Sequence, residues 1–289
     1  MTQPNAKRQA DYTAVALQLA TKALSVAVDA APHRAKEGER RWSIAKTLPA
    51  ARLLIDQDRQ EDQAQLPDLA RSLVETLADE TGKVTDGFGH ARPSYALFAI
   101  HLLGSAARLG GQEDVREDVA QAAKTLLNSR LLNEAVPDPR LSVWRRLIAR
   151  QHGLHEAEEL PLPSHEPAPL LPLGLDDLID SWTYYELVGL HGMHLCGLLE
   201  SDPGLTQRTR SAAEYHLGHT QPDYTTYQPW GLAAFAADPM TAVFAEQQLH
   251  DVATHLSIEG PGGAVLPALL LADSVAAMSG TLKRVWCTD

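Results

Sequence analysis

The stretch SYALFAI at residues 94–100 introduces a pattern that the chain uses three times. A small hydroxyl residue precedes a tyrosine, and apolar residues at helical spacing follow. The same order returns in TYYELVGL at residues 183–190 and in TYQPWGLA at residues 226–233. The three tyrosines are 89 and 43 residues apart, so the first interval is about twice the second. A repeat of this length is typical of helical hairpins that pack on one another because none of them buries its apolar face alone.

The composition favours helices and limits the classes of partner. Hydrophobic residues make up 44% of the 289 residues, but aromatic residues only 6%, which suits closely packed helices better than sheets. The net charge of −12 disfavours nucleic acids and anionic membranes as partners. Six basic residues between positions 34 and 52 are interpreted as a solvated face, the usual role of such a run.

Cysteine usage and the chain termini indicate a reducing compartment. Cys196 and Cys287 make neither a disulfide framework nor a set of metal ligands, and Cys196 lies in an apolar run typical of a buried helix. The first residues do not resemble a signal peptide. The most apolar segment, residues 264–278, is short for a membrane span and contains Pro267 and Asp273. We expect a cytoplasmic protein.

Helical periodicity extends along most of the chain, whereas no run of alternating residues predicts a strand. The clearest helix begins at Pro93 and stops before Gly110, with proline at the start and glycine after the end. The predicted helices are 11–31, 65–80, 93–109, 113–130, 140–152, 175–200, 204–219, 226–237, 239–256 and 264–279. The sequence therefore predicts an all-α fold.

Two classes of helix alternate along the chain. Apolar helices start near residues 48, 95, 141, 184, 227 and 265, and more polar helices precede most of them, as an inner and an outer ring would require. The fourth outer position, residues 153–174, holds five prolines and cannot form a helix. It is either an arm that wraps the outside or a linker. We expect one domain over residues 1–289; the alternative is two units, 1–158 and 175–289, joined by the proline-rich residues 159–174.

The chain resembles the α/α-toroid group, the six-hairpin ring of protein prenyltransferases, triterpene cyclases and several carbohydrate-active enzymes. The resemblance rests on DGFG at residues 86–89 before Ser94-Tyr95, and on DYTTY at residues 223–227 before Trp230. Both are similar to the glycine-rich loop and Thr-Tyr helix start of prenyltransferase-type repeats. The chain lacks the zinc ligands of the prenyltransferases and the acidic motif of the cyclases. The resemblance therefore implies an α/α toroid of about six helical hairpins rather than a particular activity.

Histidines suggest a metal site. Three His-x-x-His pairs occur, at 152/155, 191/194 and 216/219, and residues three apart on a helix share a face. His191, His194 and His216 are the candidate metal ligands. The alternative is that these histidines are hydrogen-bonded core or surface groups. We favour that alternative, so a divalent metal is not the favoured cofactor and the cofactor stays open.

A cluster of aspartates is a second candidate. Asp176, Asp177 and Asp180 have the form of the aspartate-rich motif with which class I terpene synthases hold magnesium and diphosphate. The companion motif is not present in proper form. Acidic residues in the first turn of a helix are also favoured by the helix dipole and by free N–H groups, and we prefer this structural interpretation.

The ring predicts a third grouping, because loops that lead into parallel inner helices meet at one end. Asp223 and His219 are the acid–base candidates there, assisted by Asp176, Asp177 or Asp180. The candidate substrate-binding residues at this rim are His90, Arg92, Tyr95, Trp182, Tyr184, Gln221 and Tyr227. The alternative is that these are capping and turn residues without a common ligand.

Two functions follow from these patterns. The first is a small-molecule site at the rim, with or without catalysis, for a neutral or cationic compound that fold analogy makes isoprenoid- or saccharide-like. The second is a helical scaffold without catalysis that binds a protein partner through its rim or its proline-rich arm. A homo-oligomer is compatible with either.

Overall fold

The computed structural model describes residues 3–27, 40–79, 82–86, 88–129, 132, 138–154, 166–174, 178–220, 227–258 and 260–287. Helices dominate this part of the chain, as the sequence predicts. The α-helices of the described residues are α1 (Gln3–Ala27), α2 (Leu48–Ile55), α3 (Gln60–Ala78), α4 (Pro93–Leu109), α5 (Glu113–Leu127), α6 (Pro139–Gln151), α7 (Ile179–Glu200), α8 (Pro203–His219), α9 (Leu232–Ala236), α10 (Ala242–His255), α11 (Pro261–Met278) and α12 (Thr281–Trp286).

Two strands of three residues each were not predicted. β1 (Arg41–Ser43) pairs in parallel with β2 (Lys83–Thr85), with Trp42 opposite Val84. Strands this short carry no periodicity that a sequence pattern can reveal. β1 leads through a 3₁₀ turn into α2, and β2 leads into the loop before α4, so the pair joins the starts of two helices.

Most predicted helices match the observed ones to within a few residues, and α4 matches at both ends. The largest difference is at α1, which begins at Gln3 instead of residue 11, and another concerns the third repeat. A helix was expected over residues 226–237, but α9 begins only at Leu232. Gly231 precedes it with φ +77°, in the left-handed region that favours glycine, so residues 227–231 form a turn. Trp230 in this turn is fully buried.

Six helices contact one another in cyclic order. α2 contacts α4, α4 contacts α6, α6 contacts α7, α7 contacts α9, α9 contacts α11, and α11 contacts α2. These are the six helices whose starts the sequence repeat predicts, but α6 carries four arginines and is not apolar as expected. The more polar helices pack against members of this cycle: α3 against α2 and α4, α5 against α4 and α6, α8 against α7 and α9, α10 against α9, and α1 against α11 and α2.

Part of the proline-rich segment packs against α7 and α8. Leu170 is buried, and the backbone N–H groups of Leu170 and Leu171 each donate to the carboxylate of Glu186, at 2.8 Å. Arg208 donates to the carbonyls of Ala168 and Pro169. These side chains supply the partners that a helix would have found within its own backbone.

Helix α11 is long and apolar enough to cross a membrane by length and composition alone. Of that apolar window, 78% is buried inside the protein, and the window contains the fully buried Asp273. These properties are also those of a core helix, so the helix is weak evidence for a membrane.

Replacing Glu186 by glutamine should destabilise the protein. The carboxylate accepts two backbone hydrogen bonds and lies 3.8 Å from Arg140 Nη1, so we expect a loss of about 2 kcal/mol in the free energy of unfolding. Glu200→Gln is the matched control, because its pair with Arg146 is partly exposed and should contribute less than about 1 kcal/mol. Denaturant unfolding of both variants measures this, and equal losses would contradict the anchoring role of Glu186.

Candidate functional site

A carboxylate joins two histidines between the helices of the cycle. Asp273 of α11 lies with Oδ1 2.8 Å from His101 Nε2 of α4 and with Oδ2 2.8 Å from His191 Nε2 of α7. The side chains of all three are 0 or 1% exposed. His101 Nδ1 also contacts the amide of Gln151, and Gly231 N–H donates to His191 Nδ1. A buried charge of this kind persists only because several polar partners surround it.

Aromatic rings enclose this cluster. The His191 imidazole is parallel to the Trp144 indole at a centroid distance of 5.9 Å, and Trp230 meets His191 edge-on at 5.5 Å. Phe98 contacts His101, His191 and both indoles. The space between α4, α6, α7 and α11 is therefore filled by side chains here.

The cluster is an ion pair. Burial opposes the charged form of His101, but the Asp273 carboxylate and the hydrogen bonds to it outweigh burial and raise the pKa of His101. Burial likewise opposes ionisation of Asp273, but the two histidines outweigh it and hold the pKa of Asp273 well below its usual range. The Asp273 carboxylate is consequently negative and His101 is favoured as the cation.

A cavity of about 370 Å³, which we call the rim cavity, lies where the loop before α4 and the turn before α9 meet the start of α11. Its lining comes from four separate segments: the loop before α4, the turn before α9, the end of α10 and the start of α11. The lining residues are Asp86, Phe88, Tyr227, Gln228, His255, Gly262, Gly263, Leu266 and Pro267. A groove of about 660 Å³ between α1 and α10 is larger, but its lining comes from those two helices alone. Convergence of distant segments makes the rim cavity the better candidate site.

One carboxylate shapes the loop at the cavity edge. Asp86 Oδ1 accepts from the backbone N–H groups of Phe88 and His90, at 2.8 and 2.9 Å, and Oδ2 lies 3.1 Å from His90 Nδ1. This arrangement leaves the Phe88 ring 58% exposed. An exposed aromatic ring beside a carboxylate is suited to contact with a ligand rather than to the core.

The opposite edge of the cavity combines an aromatic stack with an unused acceptor. Tyr227 stacks on His255 at 4.7 Å and is 42% exposed. Gln228 Oε1 is buried and has no hydrogen-bond partner among the residues that the structure describes. A buried acceptor without a partner costs free energy, and a ligand hydroxyl or amine would remove that cost.

Near the rim, two tyrosines and an arginine meet. The Arg92 guanidinium lies 3.9 Å from the ring centroid of Tyr184, and the Tyr184 hydroxyl is 3.3 Å from Ser94 Oγ. Burial is the main cause that raises the pKa of both Tyr95 and Tyr184. Both hydroxyls therefore stay protonated at neutral pH and can donate hydrogen bonds.

The predicted rim residues are thus partly brought together. Tyr95, Tyr184 and Arg92 lie together, and Tyr227 lines the cavity with Asp86, the hydrogen-bond partner of His90. Trp182 is different. It is buried, and its indole N–H donates to Leu171 of the proline-rich segment, so it anchors that segment.

The acid–base candidates are not assembled within the described ranges. His219 is exposed at the end of α8, where it stacks on Tyr215 at 4.3 Å, and Asp180 is exposed in the first turn of α7. Asp176, Asp177, Gln221 and Asp223 lie outside the described residues.

The histidine pairs do not make a metal centre. In the described part of the chain, no group of three or more His, Cys, Asp or Glu side chains could hold a metal ion, so His191, His194 and His216 do not converge. His191 uses both ring nitrogens in the central cluster, and His216 is buried beside Trp182 with Nε2 3.6 Å from Glu186. His152, His191, His216 and His219 make different contacts, and His155 lies outside the described residues.

The sequence patterns did not predict that His101, Gln151 and Asp273 form one hydrogen-bonded cluster. A signal did exist, because a single aspartate inside the apolar helix α11 must have buried partners. Its partners were not visible, since they lie 172 and 82 positions away in the chain. His255 and Gln228 of the cavity were also missed.

Comparisons of the chain with family models, with curated proteins and with solved structures gave no match.

The loss of stability caused by replacing Asp273 with asparagine should depend on pH. Stabilisation by cationic His101 is present below its unfolded pKa of about 6.5 and is lost as pH rises through its raised folded pKa. Stabilisation by Asp273 is present above its unfolded pKa of about 3.9 and is lost as pH falls through its lowered folded pKa. The difference in unfolding free energy between wild type and Asp273→Asn should widen from about pH 8 to pH 5 and narrow below about pH 4. Denaturant titrations across this range measure it, and a constant difference would show that His101 is not the cation.

Replacing His152 by glutamine should reduce sensitivity to acid. Burial, followed by the nearby Arg108, lowers the pKa of His152 to about 3, so the folded protein stays unprotonated there while the unfolded chain binds a proton below about pH 6.5. Wild type should lose more stability than His152→Gln as pH falls from about 6.5 to 4. The exposed His219→Gln is the control, and it should follow the wild-type curve. Identical curves for all three proteins would contradict the assignment.

Proposed function

We propose that this protein is an α/α toroid that binds a small polyhydroxylated molecule, of saccharide-like chemistry, at the rim where its inner helices begin. The cyclic order of contacts among α2, α4, α6, α7, α9 and α11 supports the toroid. The observation that carries the function is the rim cavity, in which four separate chain segments meet around about 370 Å³.

The chemistry of the cavity supports a ligand rich in hydroxyl groups. Asp86 and the unpartnered Gln228 Oε1 are acceptors, and hydroxyl groups are donors that suit both. Phe88 and the Tyr227–His255 stack offer flat apolar faces. A sugar ring presents C–H groups on its faces and hydroxyl groups around its edge, so it matches both kinds of surface.

An isoprenoid substrate is less well supported. A prenyl chain needs a deep apolar channel, whereas Phe98, Trp144 and Trp230 fill the space behind the rim around the ion pair. None of the described residues that line the cavity is a lysine or arginine that would pair with a diphosphate.

The filled centre also keeps a second function open. A helical scaffold without catalysis, which binds a protein partner, would have a filled or shallow centre, and the aromatic packing around His191 fits that description. The two proposals differ in whether the rim cavity takes a small molecule.

Saturation-transfer NMR with D-glucose, D-galactose, maltose and cellobiose, and with geraniol as the apolar comparison, tests the proposal. We expect signals from at least one saccharide and about tenfold weaker binding in Tyr227→Ala, because the stacking face is lost. Met240→Ala is the matched control, since Met240 is exposed and does not line the cavity. Absence of saccharide binding, or binding that Tyr227→Ala leaves unchanged, would reject the saccharide site and favour the scaffold.

A further inference from the structure

A continuous line of hydrogen bonds connects the buried ion pair to the turn that forms one edge of the rim cavity. It runs from Gln151, whose Oε1 accepts from His101, through His101 to Asp273, from Asp273 to His191 and from His191 to Gly231. Gly231 ends the turn of residues 227–231, in which Tyr227 and Gln228 line the cavity. The buried cluster therefore contacts the turn in two ways, through the Gly231 amide and through the Trp230 indole.

The directions of the two bonds at His191 follow from which atoms can donate. A backbone N–H can only donate, so the Gly231 bond of 3.3 Å requires an unprotonated Nδ1 on His191. His191 Nε2 must then carry the hydrogen, which it donates to Asp273 Oδ2 at 2.8 Å. Asp273 thereby selects the tautomer of His191 that can accept from Gly231.

Other contacts also hold the turn: Trp230 is fully buried against Phe98 and Trp144, and its backbone N–H donates to the Gln228 carbonyl. Gln248 Nε2 of α10 donates to the Trp230 carbonyl at 3.1 Å, and the Gly231 backbone approaches Leu190 so closely that an added Cβ would lie 3.1 Å from its Cδ2. The His191 ring itself is clamped against Trp144, whose indole N–H donates to Val188 O at 2.7 Å. A clamped imidazole therefore supplies the acceptor for the Gly231 amide at the end of the turn.

We infer that His191 is a positioning residue for the rim site: held in one tautomer by Asp273, it fixes the Gly231 amide and with it the 227–231 turn that carries Tyr227 and Gln228. This inference rests on the proposed function for its importance, because the turn matters to a ligand only if the rim cavity binds one. The positioning itself is a property of the unliganded protein and can be measured without any ligand.

Two substitutions separate the nitrogens of His191. The side-chain amide of glutamine reaches the place of Nε2, so His191→Gln keeps a partner for Asp273 and leaves Gly231 without one. The amide of asparagine reaches the place of Nδ1, so His191→Asn keeps an acceptor for Gly231. The reference amides are Leu170 and Leu171, which another buried side chain, Glu186, holds at 2.8 Å.

Native-state hydrogen exchange of the full chain is the test. We expect Gly231 to exchange about tenfold faster in His191→Gln, to return toward the wild-type rate in His191→Asn, and Leu170 and Leu171 to change less than about twofold in both. Gly231 rates that rise no more than those of Leu170 and Leu171 would overturn the inference, because the effect would then be global destabilisation. Glu186→Gln should show the reverse pattern.

A second measurement on the wild-type protein does not depend on the variants folding. A scalar coupling across the hydrogen bond between the Gly231 and His191 Nδ1 nitrogens should be detectable by ¹⁵N NMR, and its absence together with a protonated Nδ1 would overturn the inference. Titration of each protein with whichever of the four saccharides binds wild type then connects positioning to the site, and His191→Gln should bind it about tenfold more weakly. If no saccharide binds wild type, the proposed function fails, whereas the exchange rates and the coupling still decide the positioning role.

Discussion

The negative charge of Asp273, buried among apolar helices, is the constraint on which the rest of this structure depends. An isolated carboxylate in such a place would cost far more than a small protein's total stability, so its two oxygens need partners of fixed geometry. Those partners are His101 and His191, on two other helices of the cycle. His101 is in turn held by Gln151, and His191 by the Gly231 backbone. One charge therefore sets the mutual placement of α4, α7 and α11 and of the turn before α9.

The proline-rich segment solves a related problem at the periphery. Prolines there exclude a helix, so backbone N–H and carbonyl groups that a helix would satisfy internally must find side-chain partners. The Glu186 carboxylate accepts from two backbone N–H groups, and the Arg208 guanidinium donates to two backbone carbonyls. In the proline-rich segment and in the turn before α9, buried polar side chains supply hydrogen-bond partners to backbone groups that lie outside regular secondary structure.

The sequence allowed most helices to be predicted because their signals are local. Pro93 and Gly110 mark both ends of α4, and the apolar spacing along 94–107 leaves no other interpretation. The turn of residues 227–231 escaped prediction because Pro229 also suits a first helical turn, and only the packing of Trp230 and the left-handed Gly231 decides otherwise. The sequence predicted the location of the candidate site better than the residues that line it. Tyr227 followed from the repeat, whereas His255 faces the cavity through tertiary packing that no spacing in the sequence encodes.

The bond between His101 and Asp273 also has a consequence for how the chain acquires its structure. It joins residues 172 positions apart, so during synthesis His101 is made 172 residues before its counter-ion. Contacts this distant in sequence carry a large loop-closure cost and are made late in folding. Until α11 is made, the buried nitrogens of His101 and His191 that face Asp273 lack their partner, so α4 and α7 reach their final packing only after α11 is present.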